Sequence, residues 1–308
     1  GDLATSQFLW MLQSVPWAKD LQELRVGWRS EFTNDPGRSS KFVEPYACVK
    51  PIQIEKTLKA CPKLKVVGFA GCGCWSALMG YWRPDHIMVL RPFVENRNAN
   101  LVTLDLSSVM YINDTDLVPV LQTHTHLENL SLRGTLVSDQ SLAVLGSKLQ
   151  KLNISCCHLV TQNGINSILA NCPGIQELDL CYISGLEATC AISVADCYGS
   201  QLTMLGFGGF KMDDGHLIRV LSKTPGLRHL GIGGTQVTGE GISEIGSRCP
   251  ELRQLNAHRL KQVSKAAIDS LIECCPKLTG LDLNDCEGFE PEEGIEELEA
   301  QFPYFVED

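Results

Sequence analysis

Apolar residues return along this chain in a fixed order. Between Thr224 and Asp285, Leu-x-x-Leu-x-[Leu/Ile/Ala] is followed by a short turn, an apolar stripe, Pro-x-Leu and a restart. The restarts there are Leu227, Leu252 and Leu278, spaced 25 and 26 residues apart. Equivalent restarts at Leu21, Leu64, Leu101, Leu127, Leu149, Ile175 and Leu202 bring the number of repeats to ten. Strand side chains alternate, so positions four and six of a repeat share one side of a short strand. Position one turns into the core just before it. The later stripes, such as Ile242 with Ile245 or Ile268 with Leu271 and Ile272, have the spacing of a helix face. A strand that returns through a helix to the next strand does so right-handedly and leaves the two strands parallel. One repeat cannot bury its own leucines, so neighbours must stack. The pattern therefore predicts an α/β solenoid of about ten repeats. It is a curved horseshoe with parallel strands on the concave face and the wider helices on the convex face.

Two intervals are long, 43 residues from Leu21 to Leu64 and 37 from Leu64 to Leu101. They hold loop insertions at 29–50, marked by Asp35-Pro36-Gly37 and Ser39-Ser40, and at 74–85, which carries Trp75, Tyr81 and Trp82. Long loops in compact arrays often serve function. Residues 5–18 have Phe8, Leu9, Leu12 and Val15 at helical spacing, so the chain is expected to open on the helix half of a repeat. At the other end, residues 287–308 carry Phe289-Glu290-Pro291 and then an acidic stretch with Ile295, Leu298 and Phe302 on one stripe. Proline and acids suit a first helical turn, and the segment reads as the acidic C-terminal cap of the array. The whole of 1–308 is expected to be a single domain.

Charge sharpens this picture. The net charge is −10, yet residues 278–308 hold eleven acids and no Lys or Arg, which leaves the rest at +1. A near-neutral body argues against nucleic acid as a partner, since nucleic acid needs a basic footprint. No run of about 18 apolar residues is present, so no membrane span is expected. The amino end lacks the basic and apolar regions of a signal peptide. Of the 14 cysteines, Cys61, Cys172, Cys249 and Cys275 open Cys-Pro-x-[Leu/Ile] restarts, and Cys72, Cys157 and Cys286 lie eight residues after a restart. Positions used once per repeat stack into buried columns, so these are expected to be reduced structural thiols. Reduced thiols point to an intracellular protein of the cytoplasm or nucleus. Cys72 with Cys74, Cys156 with Cys157 and Cys274 with Cys275 lack a second pair at zinc spacing, and no metal or cofactor is expected.

Positions three, five and seven of each strand should face the concavity. In the middle repeats they are polar: Thr103, Asp105 and Ser107, then Asn129, Ser131 and Arg133, then Lys151, Asn153 and Ser155. A solvated surface is the plain expectation for them. Two adjacent repeats differ, with Met204, Gly206, Gly208 and Gly209 followed by His229, Gly231, Gly233 and Gly234. A turn requirement accounts for Gly209 and Gly234. Gly206 and Gly231 lie inside strands, where glycine marks close approach of a backbone or ligand. With Gln254, Asn256, His258 and Arg259 of the next repeat they predict a shallow trough for a protein partner. The aromatic loop of Trp75, Tyr81 and Trp82 is the rival surface. His229, His258 and Asp282 fall in different rows, so they are not expected to converge as a catalytic or metal site.

The motif Cys-Pro-x-Leu-x-x-Leu-x-Leu-x-x-Cys is nearly complete at Cys61–Cys72 and at Cys275–Cys286. It resembles the cysteine-containing class of leucine-rich repeats, and most of all the repeat region of F-box/leucine-rich-repeat proteins. The resemblance implies a non-catalytic protein-interaction scaffold, such as one subunit of a larger assembly. The alternative it implies is the substrate-recognition domain of an F-box-type cullin ubiquitin ligase receptor, lacking its F-box.

Overall fold

The structure is a computed structural model and describes residues 11–25, 51–70, 90–95 and 101–287. The insertions at 29–50 and 74–85, with Trp75, Tyr81 and Trp82, lie outside these residues, as do Cys72 and all of the cap beyond Glu287. The described chain falls into two compact units, one ending at Gly174 and the other beginning at Ile175.

Each repeat contributes a strand of three residues. In the first unit these are β1 (Glu23–Arg25), β2 (Val66–Gly68), β3 (Thr103–Asp105), β4 (Asn129–Ser131) and β5 (Lys151–Asn153). They pair in parallel and in chain order, with Leu24, Val67, Leu104, Leu130 and Leu152 in one column. The second unit repeats the scheme with β6 (Glu177–Asp179), β7 (Met204–Gly206), β8 (His229–Gly231), β9 (Gln254–Asn256) and β10 (Gly280–Asp282). Its column is Leu178, Leu205, Leu230, Leu255 and Leu281. Every residue in both columns is buried, as are the restart residues from Leu64 onward and position-six residues such as Leu106, Phe207 and Ile232, while Leu21 at the first restart is half-buried. The alternation of apolar positions therefore builds the core as the sequence predicts.

The chain leaves each strand through the same turn. Five residues after the strand begins, from β3 onward, one residue takes a left-handed conformation: Ser108, Gly134, Cys156, Tyr182, Gly209, Gly234, Arg259 and Asp285. The φ angles of Gly209 and Gly234, +79° and +68°, confirm the turn requirement read for them. A non-glycine residue there costs about 1–2 kcal/mol. Amide-to-carbonyl bonds between neighbouring turns hold it in place, such as Ser108 N–H to Arg133 O at 2.6 Å and Gly134 N–H to Ser155 O at 2.8 Å.

Helices follow, and their first turns are locked by side chains. Asn113, Ser138, Thr161 and Thr238 each accept the N–H two residues on, and Asp213 and Ser264 the N–H three residues on. This satisfies donors that a helix start leaves open. A second carboxylate ties one repeat to the next. Asp114 accepts Ser138 N–H and Oγ–H at 2.9 and 2.6 Å and both donors of Ser141. Asp139 does the same for Thr161, and Asp214 for Thr238. Burial pushes the Asp114 carboxyl up, but the bonds from Ser138 and Ser141 outweigh it and hold it below the usual carboxylate range.

At the helix ends, Cys172, Cys249 and Cys275 are C-caps whose thiols point at carbonyls of the preceding repeat, Gly146, Thr224 and Cys249 respectively. Cys157 and Cys286 form the second column, with Sγ–H donated to Leu132 O and Ala257 O at 3.0 and 3.1 Å. The described cysteines are all free thiols.

One expectation fails at the start. Residues 12–14 form a turn and Pro16–Asp20 a short 3-10 helix, so no continuous helix spans 5–18. Pro16 has no N–H to give and drives Val15 into extended backbone, φ −97° and ψ 130°.

Candidate functional site

The strand face opposite the core is less wet than its polar sequence suggests. Thr103, Asp105, Ser107, Ser131 and Ser155 in the first unit, and Asp179 and Asp282 in the second, are buried. Hydrogen bonds along and between strands explain how a polar face closes on itself. Ser107 and Ser131 share a bond of 2.5 Å between hydroxyls, Asn129 Nδ2 donates to Thr103 at 2.9 Å, and Asp105 accepts Ser107 N–H at 3.0 Å. Asp179 and Asp282 accept the N–H two residues on in the same manner. A buried polar group is tolerated when it is bonded in this way.

On the second unit, strand register places Met204, His229 and Gln254 in one row, and Gly206, Gly231 and Asn256 in the next. The trough expected over the glycines is not open. A Cβ on Gly206 would lie 2.6 Å from Asp179 Oδ1 and 2.9 Å from Cys181 Sγ. One on Gly208 would lie 2.9 Å from Gly233 O, and one on Gly233 would strike the His258 ring and come 2.9 Å from Asn256 Oδ1. Close approach does explain these glycines, but the groups approaching belong to the same chain. Cys181 Sγ also accepts Gly208 N–H at 3.1 Å. Met204, Gly206, Gly208, Gly231 and Gly233 are accordingly buried, while His229, Gln254, Asn256 and His258 are half-buried and Arg259 is exposed.

His258 and Asp282, expected in separate rows, meet: Nδ1 is 3.6 Å from Asp282 Oδ2. Asn256 lies between, with Oδ1 against His258 Nδ1 and Nδ2 donating to Asp282 Oδ2 at 2.9 Å. Tyr182 completes the group, its hydroxyl 2.5 Å from His258 Nε2 and 3.3 Å from Gly233 O. Burial pushes His258 below the usual imidazole range, against the pull of Asp282. Tyr182 escaped the sequence reading, whereas Cys181 was expected at position seven of its strand, facing the concavity. The available signal was that Tyr182 occupies the turn position filled by glycine in the next two repeats. Among the described residues, no three His, Cys, Asp or Glu side chains are grouped to hold a metal ion. No helix there is long and apolar enough to cross a membrane.

No family model matches the chain. It is 30% identical over 148 residues to F-box/LRR-repeat protein 4 of Bos taurus, covering 47% of this chain and 24% of that protein. It is 27% identical over 189 residues to F-box/LRR-repeat protein 17 of Arabidopsis thaliana, covering 59% and 29%. The chain thus spans less than a third of the length of either relative. Among solved structures, the leucine-rich repeat-containing protein LegL7 from Legionella pneumophila superposes with a TM-score of 0.50 at 12% identity, over 97% of this chain and 95% of that one. That likeness bears on the fold. With parallel strands alternating with helices through ten repeats, the chain has the α/β leucine-rich-repeat fold. Its repeats are similar to those of F-box/LRR-repeat proteins.

Proposed function

We propose that this chain is a non-catalytic scaffold that binds a protein partner through the strand face of β7, β8 and β9. The observation that carries this reading is the register that sets His229, Gln254, Asn256 and His258 side by side, with exposed Arg259 at their end. Met204, Gly206, Gly208, Gly231 and Gly233 lie beneath as support. A patch of polar side chains on a rigid frame suits recognition, because little ordering entropy is lost on binding. The test is affinity capture with the full chain, followed by Gln254→Ala with Arg259→Ala on the captured partner. A central contact should cost about 2 kcal/mol or more on truncation, a loss of roughly thirtyfold in affinity. Unchanged binding would move the site elsewhere, and Trp75→Ala with Trp82→Ala would then test the rival aromatic loop. Arginine at Gly206 is a poor probe, since the space above it is taken by Asp179 and Cys181, whereas a Cβ on Gly231 meets only Cys181 Sγ at 3.4 Å and Gly206 Cα at 3.5 Å.

The similarity to two F-box/LRR-repeat proteins favours a second reading, substrate recognition within a cullin-type ubiquitin ligase. Capture of ligase subunits by the natural gene product would support it. Capture of other partners without any ligase subunit would leave the scaffold reading alone.

A further inference from the structure

Leu136 and Leu159 hold one position in consecutive repeats, two residues before the helix N-caps Ser138 and Thr161. Parallel bridges of Asn113 to Leu136 and of Ser138 to Leu159 bring three strand-to-helix connections alongside one another. The first of the three carries half-buried Tyr111 at that position, with exposed Met110 next to it. Met110, Leu136 and Leu159 are 42%, 45% and 54% exposed, three of the five large exposed apolar side chains among the described residues. In the second unit the same position holds Gly185, Lys211, Gln236 and Gln262, all exposed. A single exposed leucine needs no explanation, but an apolar row through three adjacent repeats does.

The strand-to-helix connection of the repeat before Met110 is the second insertion. It departs at Ala70, two residues past β2, and rejoins at Leu90, beside the helix Arg91–Glu95. Residues 71–89 therefore leave and rejoin the fold on the edge that carries the row. From Gly71 to Trp82 they contain no charged residue, and they hold Trp75, Leu78, Met79, Tyr81 and Trp82. A stretch of 19 residues extends to about 60 Å at most, or about 30 Å out and back. Parallel strands lie about 4.8 Å apart, so Leu159, three repeats on, is about 15 Å along the row. The insertion is long enough to cover all three side chains.

We propose that the charge-free run 71–82 docks on this row, seating Trp75, Tyr81 and Trp82 over Met110, Leu136 and Leu159. Two apolar surfaces tethered at one edge bury each other, and the tether supplies an effective concentration that a free partner lacks. A second copy of the chain fits less well. A standard interface covers about 800 Å² on each partner, and three half-exposed side chains fall far short of that. The docking does not depend on which face binds a partner, and it withdraws the aromatic loop from that role.

The experiment is limited chymotrypsin digestion of the full chain, mapped by mass spectrometry, in wild type and in Leu136→Asp with Leu159→Asp. Cuts after Trp75, Tyr81 and Trp82 should be severalfold faster in the variant. Gln236→Asp with Gln262→Asp, at the same position in the second unit, should leave their rate unchanged. The reciprocal readout is oxidation of Met110 by hydrogen peroxide. It should be severalfold faster in Trp75→Ser with Trp82→Ser than in wild type, with buried Met212 as the internal standard. Equal cutting in wild type and the Leu136/Leu159 variant would overturn the proposal and leave the row to a separate protein. Met110 oxidation that ignores the two tryptophans would overturn it as well. So would protection that appears only at high protein concentration, since the occupant is then a second copy. If the aspartate variant does not fold by circular dichroism, Leu136→Ser with Leu159→Ser replaces it under the same outcomes.

Discussion

Gly134 and Gly209 hold the same turn position with similar φ angles, +67° and +79°, in different surroundings. A Cβ on Gly134 meets nothing closer than 4.0 Å, whereas one on Gly209 meets the Tyr182 ring at 2.8 Å. Gly134→Ala should therefore cost only the left-handed backbone penalty, about 1–2 kcal/mol. Gly209→Ala should cost distinctly more, because the ring must also move, and urea unfolding of the two variants measures the difference. Equal costs would mean that the ring does not lie there. Thiols offer a second test at this scale. Burial pushes Cys172 and Cys275 up to about 11 and Cys249 to about 12, so almost no thiolate exists at pH 8. Iodoacetamide at that pH should spare these three and label exposed Cys197 and Cys274, with full labelling after denaturation, read by mass spectrometry. The buried thiols were legible from their recurrence once per repeat. The burial of Asp105 or Ser107 was not, because a polar residue at position five or seven looks the same whether solvated or bonded to its neighbour.

Among elements, the helix starts carry a testable coupling. Asp114 accepts four hydrogen bonds from Ser138 and Ser141, at the start of the following helix, Asp139–Leu142. Asp114→Ala should cost roughly 1–3 kcal/mol, since these donors lose a charged acceptor. The folded pKa of Asp114 is depressed, so its contribution is present above the ordinary carboxylate value of 3.8 and is lost as pH falls through the folded value. The gap between wild type and Asp114→Ala should therefore be full at pH 7 and close under acid. A gap that persists at pH 2 would refute the charged clamp. The strands and helices themselves were legible, since positions four and six must be buried in every repeat. The described part of the stripe, 12–18, shows the limit of a pattern read alone: Pro16 outweighs the spacing of Leu12 and Val15.

For the molecule, stability follows from stacking. Leu205 is fully buried and packs in the column between Leu178 and Leu230. Leu205→Ala should cost about 2–5 kcal/mol. The loss should spread to β6 and β8, because each repeat is coupled to its neighbours. Hydrogen exchange that changes in β7 alone would contradict that coupling. The ten-repeat frame was readable because the same physical demand is written ten times. The bond between Tyr182 and His258 was not, since it joins residues 76 apart and depends on two bare turns between them.

That bond sets a count. Arrays of this kind lengthen and shorten by whole repeats, and most contacts would survive such an edit because each joins only adjacent copies. The reach from Tyr182 to His258 spans two intervening turns and no other number. Insert or remove one copy between them and the ring no longer arrives at its acceptor. The second unit thus contains a ruler, and its length in this region is a dimension the fold can measure.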